Sequence, residues 1–423
     1  MLIEFRVENH RSLRDEQVLT LEAAPVGDES DPRPRTLDGH DVALLPAAAL
    51  YGANASGKSN VLSAIGFLRQ AVLFSYWMRE PEQGVTRTPF AWGEKHKEPS
   101  TFEATFLIDA TKYQYGFVVS EGAVAEEWLY AWPKNGKQVW LERDGDQFKF
   151  GGNLTGPNEI IKGETRRNTL FLSTASKHKH PQLLPIYNWF FDMHLVNVQG
   201  HQRSDEFNEL LSARHLSDYS GRPPEQPAFH SVDNVELMKD RVRLLLTNAD
   251  TGIVDVKIVS EEEEDARGLS SQRILLKHQA DNDESWLSLD EESQGTRMLF
   301  RMARPILEVL HSGGRLVVDE LESSLHPNLG LSIVEMFNCP KTNPNNAQII
   351  FSTHDTNLLG TTLGEAPLRR DQIWFTEKDA DGASRLYPLT DYRPRKVENL
   401  ERGYLQGRYG AIPFLGNLTQ IAE

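Results

Sequence analysis

A single cysteine, Cys339, stands among 423 residues, so no intrachain disulfide can form and no cysteine-built zinc cage can be assembled. Such a chain suits a reducing cytoplasm. Positive charge is also in short supply. The 45 Lys and Arg against 61 Asp and Glu leave a formal net charge of -16, which excludes a uniformly basic nucleic-acid surface and allows only a local patch. Long apolar runs are missing: Val42 to Tyr51 is short and interrupted by Pro46, unlike a bilayer span. The opening Met1 to Val7 alternates like a strand and lacks the basic region and apolar core of a signal peptide. A soluble, cytoplasmic protein without membrane contact is expected. No internal repeat and no sustained heptad is present, which argues against solenoids and coiled-coil arms. The hydrophobic share of 39% and charged share of 25% are those of an ordinary globular chain, long enough for two or three domains.

What is present begins with Gly52-Ala53-Asn54-Ala55-Ser56-Gly57-Lys58-Ser59. This matches G-x-x-x-x-G-K-[ST], in which glycines let backbone N–H groups converge on phosphate oxygens at the positive start of a helix. Lys58 is placed to reach the β- and γ-phosphates, and Ser59 to give Mg²⁺ a hydroxyl ligand. The context fits: Ala47 to Tyr51 has the pattern of a strand end, and from Asn60 onward Leu62, Ile65, Leu68 and Val72 recur at helical spacing. ATP and Mg²⁺ are therefore the expected ligands. No base-reading motif separates ATP from GTP.

The rest of the chain divides into four regions. Residues 1–78 carry strands at Leu2 to Val7 and Gln17 to Glu22, then the phosphate loop and its helix. Arg79 to Ser100, rich in Pro, Gly and charge, leads into residues 79–165. There Phe102, Ala104, Phe106 and Ile108, then Tyr113, Tyr115, Phe117 and Val119, then Trp128, Tyr130 and Trp132 alternate as an antiparallel meander with one buried face. Residues 166–284 are expected to be an inserted, mainly helical or mixed region. In it Leu170 to Ser173 rejoins the main sheet, Leu183 to Phe191, Phe207 to Leu216 and Val235 to Leu246 are helical, and Ser217 to Pro227 is a loop. Residues 285–423 alternate helix and strand, which implies a mostly parallel sheet covered on both faces.

The chemistry concentrates in that last region. Leu316-Val317-Val318-Asp319-Glu320 ends a buried strand in two acids, where Asp319 can hold magnesium or its water and Glu320 can orient the attacking water. Phe351-Ser352-Thr353-His354 places a histidine just past another buried strand, where open α/β sheets gather ligands. It is suited either to the terminal phosphate or to an ordinary structural bond. Glu292-Ser293-Gln294-Gly295-Thr296 opens a helix. Ser293 and Gly295 there either cap it or offer its start to a phosphate bound by another subunit.

Taken in order, GANASGKS, ESQGT, LVVDE with LESSLHP, and FSTHD resemble the ABC-type ATPases of the structural-maintenance-of-chromosomes and overcoming-lysogenization-defect lineage. The opening FRVENHRSL and the ending GYLQGRYGAIPFLG resemble the RloA/AbiLi-like ATP/GTP phosphatases, often labelled AAA-type. The resemblance implies an ABC-ATPase-like P-loop NTPase fold with a mostly parallel core sheet, an antiparallel β meander and an inserted region. It makes Ser293 and Gly295 a signature motif acting on the opposite subunit's nucleotide, Ser324 to Pro327 the D-loop and His354 the switch histidine. It also places Arg11 and Ser12 near the nucleotide, alongside Asn54, Ala55, Ser56 and Asn60 of the loop. Two departures stand out. The signature is E-S-Q-G-T where L-S-G-G-E is usual, and the glutamine loop has only Lys177 or Gln182 as candidates. His178 and His180 nearby lack the carboxylate or cysteine company of a metal site.

By that resemblance the chain is an ATPase switch that forms a homodimer or higher homo-oligomer around ATP–Mg²⁺. It controls a nuclease-like or toxin-like effector, of Toprim type in many relatives, in bacterial defence against phages. The alternatives are a DNA-binding ATPase of repair or end-processing type, and an ATP-binding scaffold that sequesters a toxin. DNA would meet the basic residues Arg393, Arg395, Lys396, Arg402 and Arg408, which Glu398 and Glu401 can instead neutralise within the chain.

Overall fold

The computed structural model describes residues 1–26, 30–38, 41–80, 82–133, 136–198, 232–249, 252–264, 270–280, 285–361, 366–395 and 398–413. The helix expected over Phe207 to Leu216 and the loop Ser217 to Pro227 lie outside them. Alternating apolar residues first form a hairpin, β1 (Leu2–Glu8) and β2 (Gln17–Thr20), followed by β3 (Ala47–Gly52) and α1 (Lys58–Met78). The meander follows as β4 (Ser100–Ile108), β5 (Thr111–Val119), β6 (Val124–Trp132), β7 (Gln138–Asp144) and β8 (Gln147–Phe150). Next come α2 (Asn158–Glu164), α3 (Phe171–Lys177), α4 (Leu184–Phe191), β9 (Met193–Val196), α5 (Val232–Asn248), β10 (Ile253–Glu264), β11 (Ser270–His278) and β12 (Trp286–Ser288). The chain continues with α6 (Gln294–Ser312), β13 (Arg315–Val318), α7 (Pro327–Asn338), β14 (Gln348–Ser352), β15 (Ile373–Lys378), β16 (Ser384–Pro388) and α8 (Leu400–Leu405).

Three sheets result. The central one has the order β16-β15-β3-β14-β13-β9. Its pairs β15–β3, β3–β14, β14–β13 and β13–β9 are parallel, and β16 is antiparallel at one edge. Its strands are apolar on both faces, as a sheet covered twice requires. Ala48, Leu50, Val317 and Ile350 face a core shared with Leu62, Ile65 and Leu68 of α1. Ala47, Ala49, Tyr51, Leu316, Val318 and Phe351 face a second core with Met298, Met302 and Ile306 of α6 and Val334 and Phe337 of α7. Helices α1 and α6 thus cover opposite faces. A second sheet, β2-β1-β4-β5-β6-β7-β8, turns Phe102, Phe106, Tyr115, Phe117 and Leu129 onto the α1 core. The N-terminal hairpin is therefore hydrogen-bonded to the meander, across the boundary drawn at residue 78. The third sheet, β10-β11-β12, carries α5 beside α6.

Two expectations are corrected. Leu170 to Ser173 does not rejoin the sheet but opens α3, because the buried Glu127 carboxylate accepts the N–H groups of Phe171 at 2.7 Å and Leu172 at 3.1 Å. An acceptor at the first free amides of a helix favours helix over strand. For the same reason β6 has the opposite phase from the one expected. Glu127, Leu129 and Ala131 point inward, and Trp128, Tyr130 and Trp132 stand half-buried on the outer face. There the Lys137 ammonium lies 3.5 Å from the Tyr130 ring centre and that of Lys112 lies 4.5 Å from the Trp132 ring centre. Cation–π contacts of this kind satisfy aromatics without burial. The described part of residues 166–284 is mixed, with β9, β10 and β11 beside three helices, and β9, which no alternating pattern marks, completes the central sheet.

By length and composition α1 could cross a membrane, but 61% of its apolar window is buried inside the protein. It is a core helix.

Candidate functional site

The carboxyl ends of β3, β14 and β13 lie side by side, and their following loops carry the residues singled out above. After β3 the chain turns through Ala55 at φ 62° and Gly57 at φ 118° into α1. Both values lie in the left-handed region that L-residues avoid. A Cβ at Gly52 would come within 2.5 Å of Ser56 Oγ and Thr376 Oγ1, and one at Gly57 would collide with the Ser384 side chain. Asn54 and Ala55 form the exposed crest of the loop, with Ser56, Gly57 and Lys58 buried beneath and Ser59 and Asn60 half-buried. Lys58 Nζ donates back to Gly52 O at 2.8 Å and Ala53 O at 3.2 Å, so the ammonium closes the arch from inside. Burial lowers its pKa, and the carboxylates of Asp319, Glu322 and Glu320 oppose that shift.

Facing Lys58, Asp319 is buried to 5% exposure and Glu320 is exposed. Ser352, at the end of the intervening strand, donates its hydroxyl to Asp319 Oδ1 at 2.5 Å and accepts the Glu320 N–H at 2.7 Å. Glu320 is held at φ 55°, a costly conformation for a glutamate and one that accumulates at functional positions. His354 is exposed, and its N–H donates to Glu322 Oε1 at 2.5 Å. Desolvation, followed by the nearby Lys58 charge, lowers the His354 pKa and favours the neutral ring, which can both donate and accept. Three acids, one ammonium and one imidazole thus converge where the backbone amides of a helix start point.

The loop fits a triphosphate with magnesium. Asp319 has a carboxylate at the strand end, and Ser59 Oγ makes no hydrogen bond among the described residues, which leaves two hard oxygen donors for a cation that needs few from the protein. No group of three His, Cys, Asp or Glu able to hold a metal by itself occurs among the described residues. The fold does bring a carboxylate to His178, which bonds Glu164, while His180 is buried on Asn158.

Ser293 is the N-cap of α6 and accepts the Thr296 N–H at 3.1 Å. Gly295 packs so closely on the loop between β13 and α7 that an added Cβ would come within 2.6 Å of Ser324 O. α6 and α1 cover opposite faces of the sheet, and among the described residues no hydrogen bond joins Ser293 or Gly295 to the phosphate loop of their own chain. Ser12 comes to the loop, whereas Arg11, at φ 51°, is held by its backbone to a different segment. The Arg11 N–H bonds Thr88 O at 2.7 Å, and Ser12 Oγ accepts from Asn60 Nδ2 at 2.5 Å. The Asn60 amide is therefore engaged with the protein. Lys177 donates to Tyr76 and Glu164, and Gln182 bonds Thr155 and Asn153. Tyr76 lies at the far end of the 21-residue α1, about 30 Å from its start at 1.5 Å per residue, so Lys177 is not the missing glutamine-loop residue. In the C-terminal segment Arg408 is paired with Glu398; Lys396 lies outside the described residues.

Residues missed from the sequence are Ser352, Glu322, Thr376 and Ser384. Ser352 and Glu322 stood inside quoted motifs, where their only signal was a polar residue at a strand end. Thr376 and Ser384 carry no local signal.

No curated protein matches the chain. Among solved structures it is similar to an SMC head bound to the C-terminal winged-helix domain of ScpA, at 16% identity over 92% of this chain and 99% of that one, with a TM-score of 0.49. It is also similar to the Pyrococcus furiosus Smc head with an extended coiled coil, at 14% identity over 93% and 97%, with a TM-score of 0.47. The Thermotoga maritima SMC head matches at 14% over 92% and 98%, with a TM-score of 0.40. Residues 47–360, more than half the chain, match the family model "AAA domain, putative AbiEii toxin, Type IV TA system", and the chain belongs to that family of P-loop ATPases.

Proposed function

We propose that this chain hydrolyses ATP only as a pair, with each triphosphate held between the phosphate loop of one copy and the Ser293–Gly295 helix start of the other. The observation that carries this reading is the placement of α1 and α6 on opposite faces of one sheet. A helix start that makes no bond to its own loop has an unused set of amides for a neighbour's phosphate.

Within that pair, the loop amides and Lys58 hold the β- and γ-phosphates, and Arg11 closes from the N-terminal side. Bound magnesium, held by Ser59 and Asp319, would neutralise charge on the β- and γ-oxygens. Glu320 orients a water for in-line attack, and neutral His354 donates to the terminal phosphate. Triphosphate binding then favours the closed pair, and cleavage favours the open one, which gives two states that a partner can distinguish. The motif resemblance to RloA/AbiLi-like proteins supports a nuclease-like or toxin-like effector as that partner, in anti-phage defence in the cytoplasm.

The deciding measurement is the solution mass of Glu320→Gln with and without ATP and magnesium. A dimer formed only with ATP is expected. A variant that stays monomeric with ATP bound, beside a parent whose turnover per chain is the same at every concentration, would overturn the composite site.

A further inference from the structure

Beneath the phosphate loop lies a chain of short hydrogen bonds whose direction on the Ser384 side can be fixed by counting hydrogens. The single hydroxyl hydrogen of Ser384 goes to Ser56 O at 2.6 Å. Toward Ser12 Oγ, 2.7 Å away, Ser384 must therefore accept and Ser12 donate. Ser12 in turn accepts from Asn60 Nδ2 at 2.5 Å. On the other side Ser56 Oγ and Thr376 Oγ1 are joined by a hydrogen bond of 2.5 Å that either can donate, and Thr376 Oγ1 lies 3.4 Å from Tyr51 O. Ser12, Ser56, Thr376 and Ser384 are all buried, at 7%, 4%, 1% and 4% exposure.

The common feature of these bonds is what they do to carbonyl oxygens. Gly52 O and Ala53 O are claimed by Lys58, and Ser56 O by Ser384. A backbone cradle attracts an anion only while its N–H groups face inward and its carbonyls face away. The Ser56–Gly57 peptide is the one most able to rotate, since Gly57 sits at φ 118° without a Cβ. Rotation there would turn an oxygen toward the phosphates.

We propose that Ser384 is a positioning residue for triphosphate binding, its hydroxyl holding the Ser56 carbonyl out of the phosphate site, with Thr376 fixing the other end of the same turn. Ser384 is itself fixed, since its N–H donates to Ser12 O at 2.7 Å. Both residues lie in the β15–β16 hairpin, beyond residues 47–360 matched by the family model. This inference rests on the reading of Gly52 to Ser59 as the triphosphate site, and the controls separate the two.

The test is calorimetric titration of Ser384→Ala, Ser384→Cys, Thr376→Val, Thr376→Ser and Lys58→Ala with ATP and with inorganic tripolyphosphate, beside their ligand-free melting temperatures. Loss of one bond that orients a charged ligand's site weakens binding about tenfold. Ser384→Ala, Ser384→Cys and Thr376→Val are expected to lose about that much for both ligands, and Thr376→Ser, which keeps the hydroxyl, to bind like the parent. Cysteine is close in volume to serine and a poor donor, so its variant retains packing should the alanine variant unfold. Unchanged tripolyphosphate affinity in Ser384→Cys, with binding abolished in Lys58→Ala, overturns the role of Ser384. Unchanged binding in Lys58→Ala overturns the triphosphate site itself.

Discussion

Ser352 and Asp319 share a hydrogen over 2.5 Å, and the same serine oxygen accepts the N–H of Glu320 at 2.7 Å. One hydroxyl thus aims the carboxylate proposed to hold the cation and fixes the backbone of the residue proposed to orient water. Ser352→Ala should lower kcat about tenfold while leaving KM for ATP within about twofold, since a positioning bond of this kind acts mainly in the transition state. Steady-state kinetics check it. A rise in KM at constant kcat would instead make Ser352 part of the binding surface.

Composite sites can be tested by complementation. Lys58→Ala removes the ammonium inside one loop, and Ser293→Arg fills one helix start, so each variant alone should be inactive. In an equimolar mixture half the pairs are mixed, and each mixed pair keeps one intact site. About a quarter of the parent turnover should return. A phosphate-release assay on the mixture is the measurement. No recovery, or full activity in Ser293→Arg alone, counts against sharing.

Stability should fall in mild acid for a reason located at β9. Burial drives the His194 pKa down from 6.5 to about 4, with Glu308 opposing and Arg69, Arg304 and Arg315 assisting. Unfolding then takes up a proton that the folded protein refuses. The contribution of this group is complete above pH 6.5 and is lost as pH falls through about 4. His194→Asn, which cannot titrate, should show a shallower fall in urea midpoint between those limits. Parallel slopes for parent and variant would locate the acid sensitivity elsewhere.

The phosphate loop, the Asp319–Glu320 pair and the alternating helices and strands after residue 285 were legible because each is local: a turn that only glycine permits, an apolar run ending in acid, a helical period. Glu127 was not. Its burial beneath α3 inverts the phase of β6, and it is compensated by amides 44 and 45 residues away, a distance over which no pattern repeats. The supports of the loop failed to register for the same reason. Thr376 and Ser384 matter through one oxygen atom each, and their partners lie more than 300 residues earlier.

That separation bears on synthesis. A ribosome delivers the Gly52–Ser59 turn early, yet Ser384 follows Ser56 by 328 residues, and the entropy of closing so long a loop must be met by the central sheet forming first. Fragments released before β16 therefore carry the whole motif and lack its scaffold. Translation that stops short yields a product recognisable by its letters but without the Ser384 hydroxyl that holds the Ser56 carbonyl.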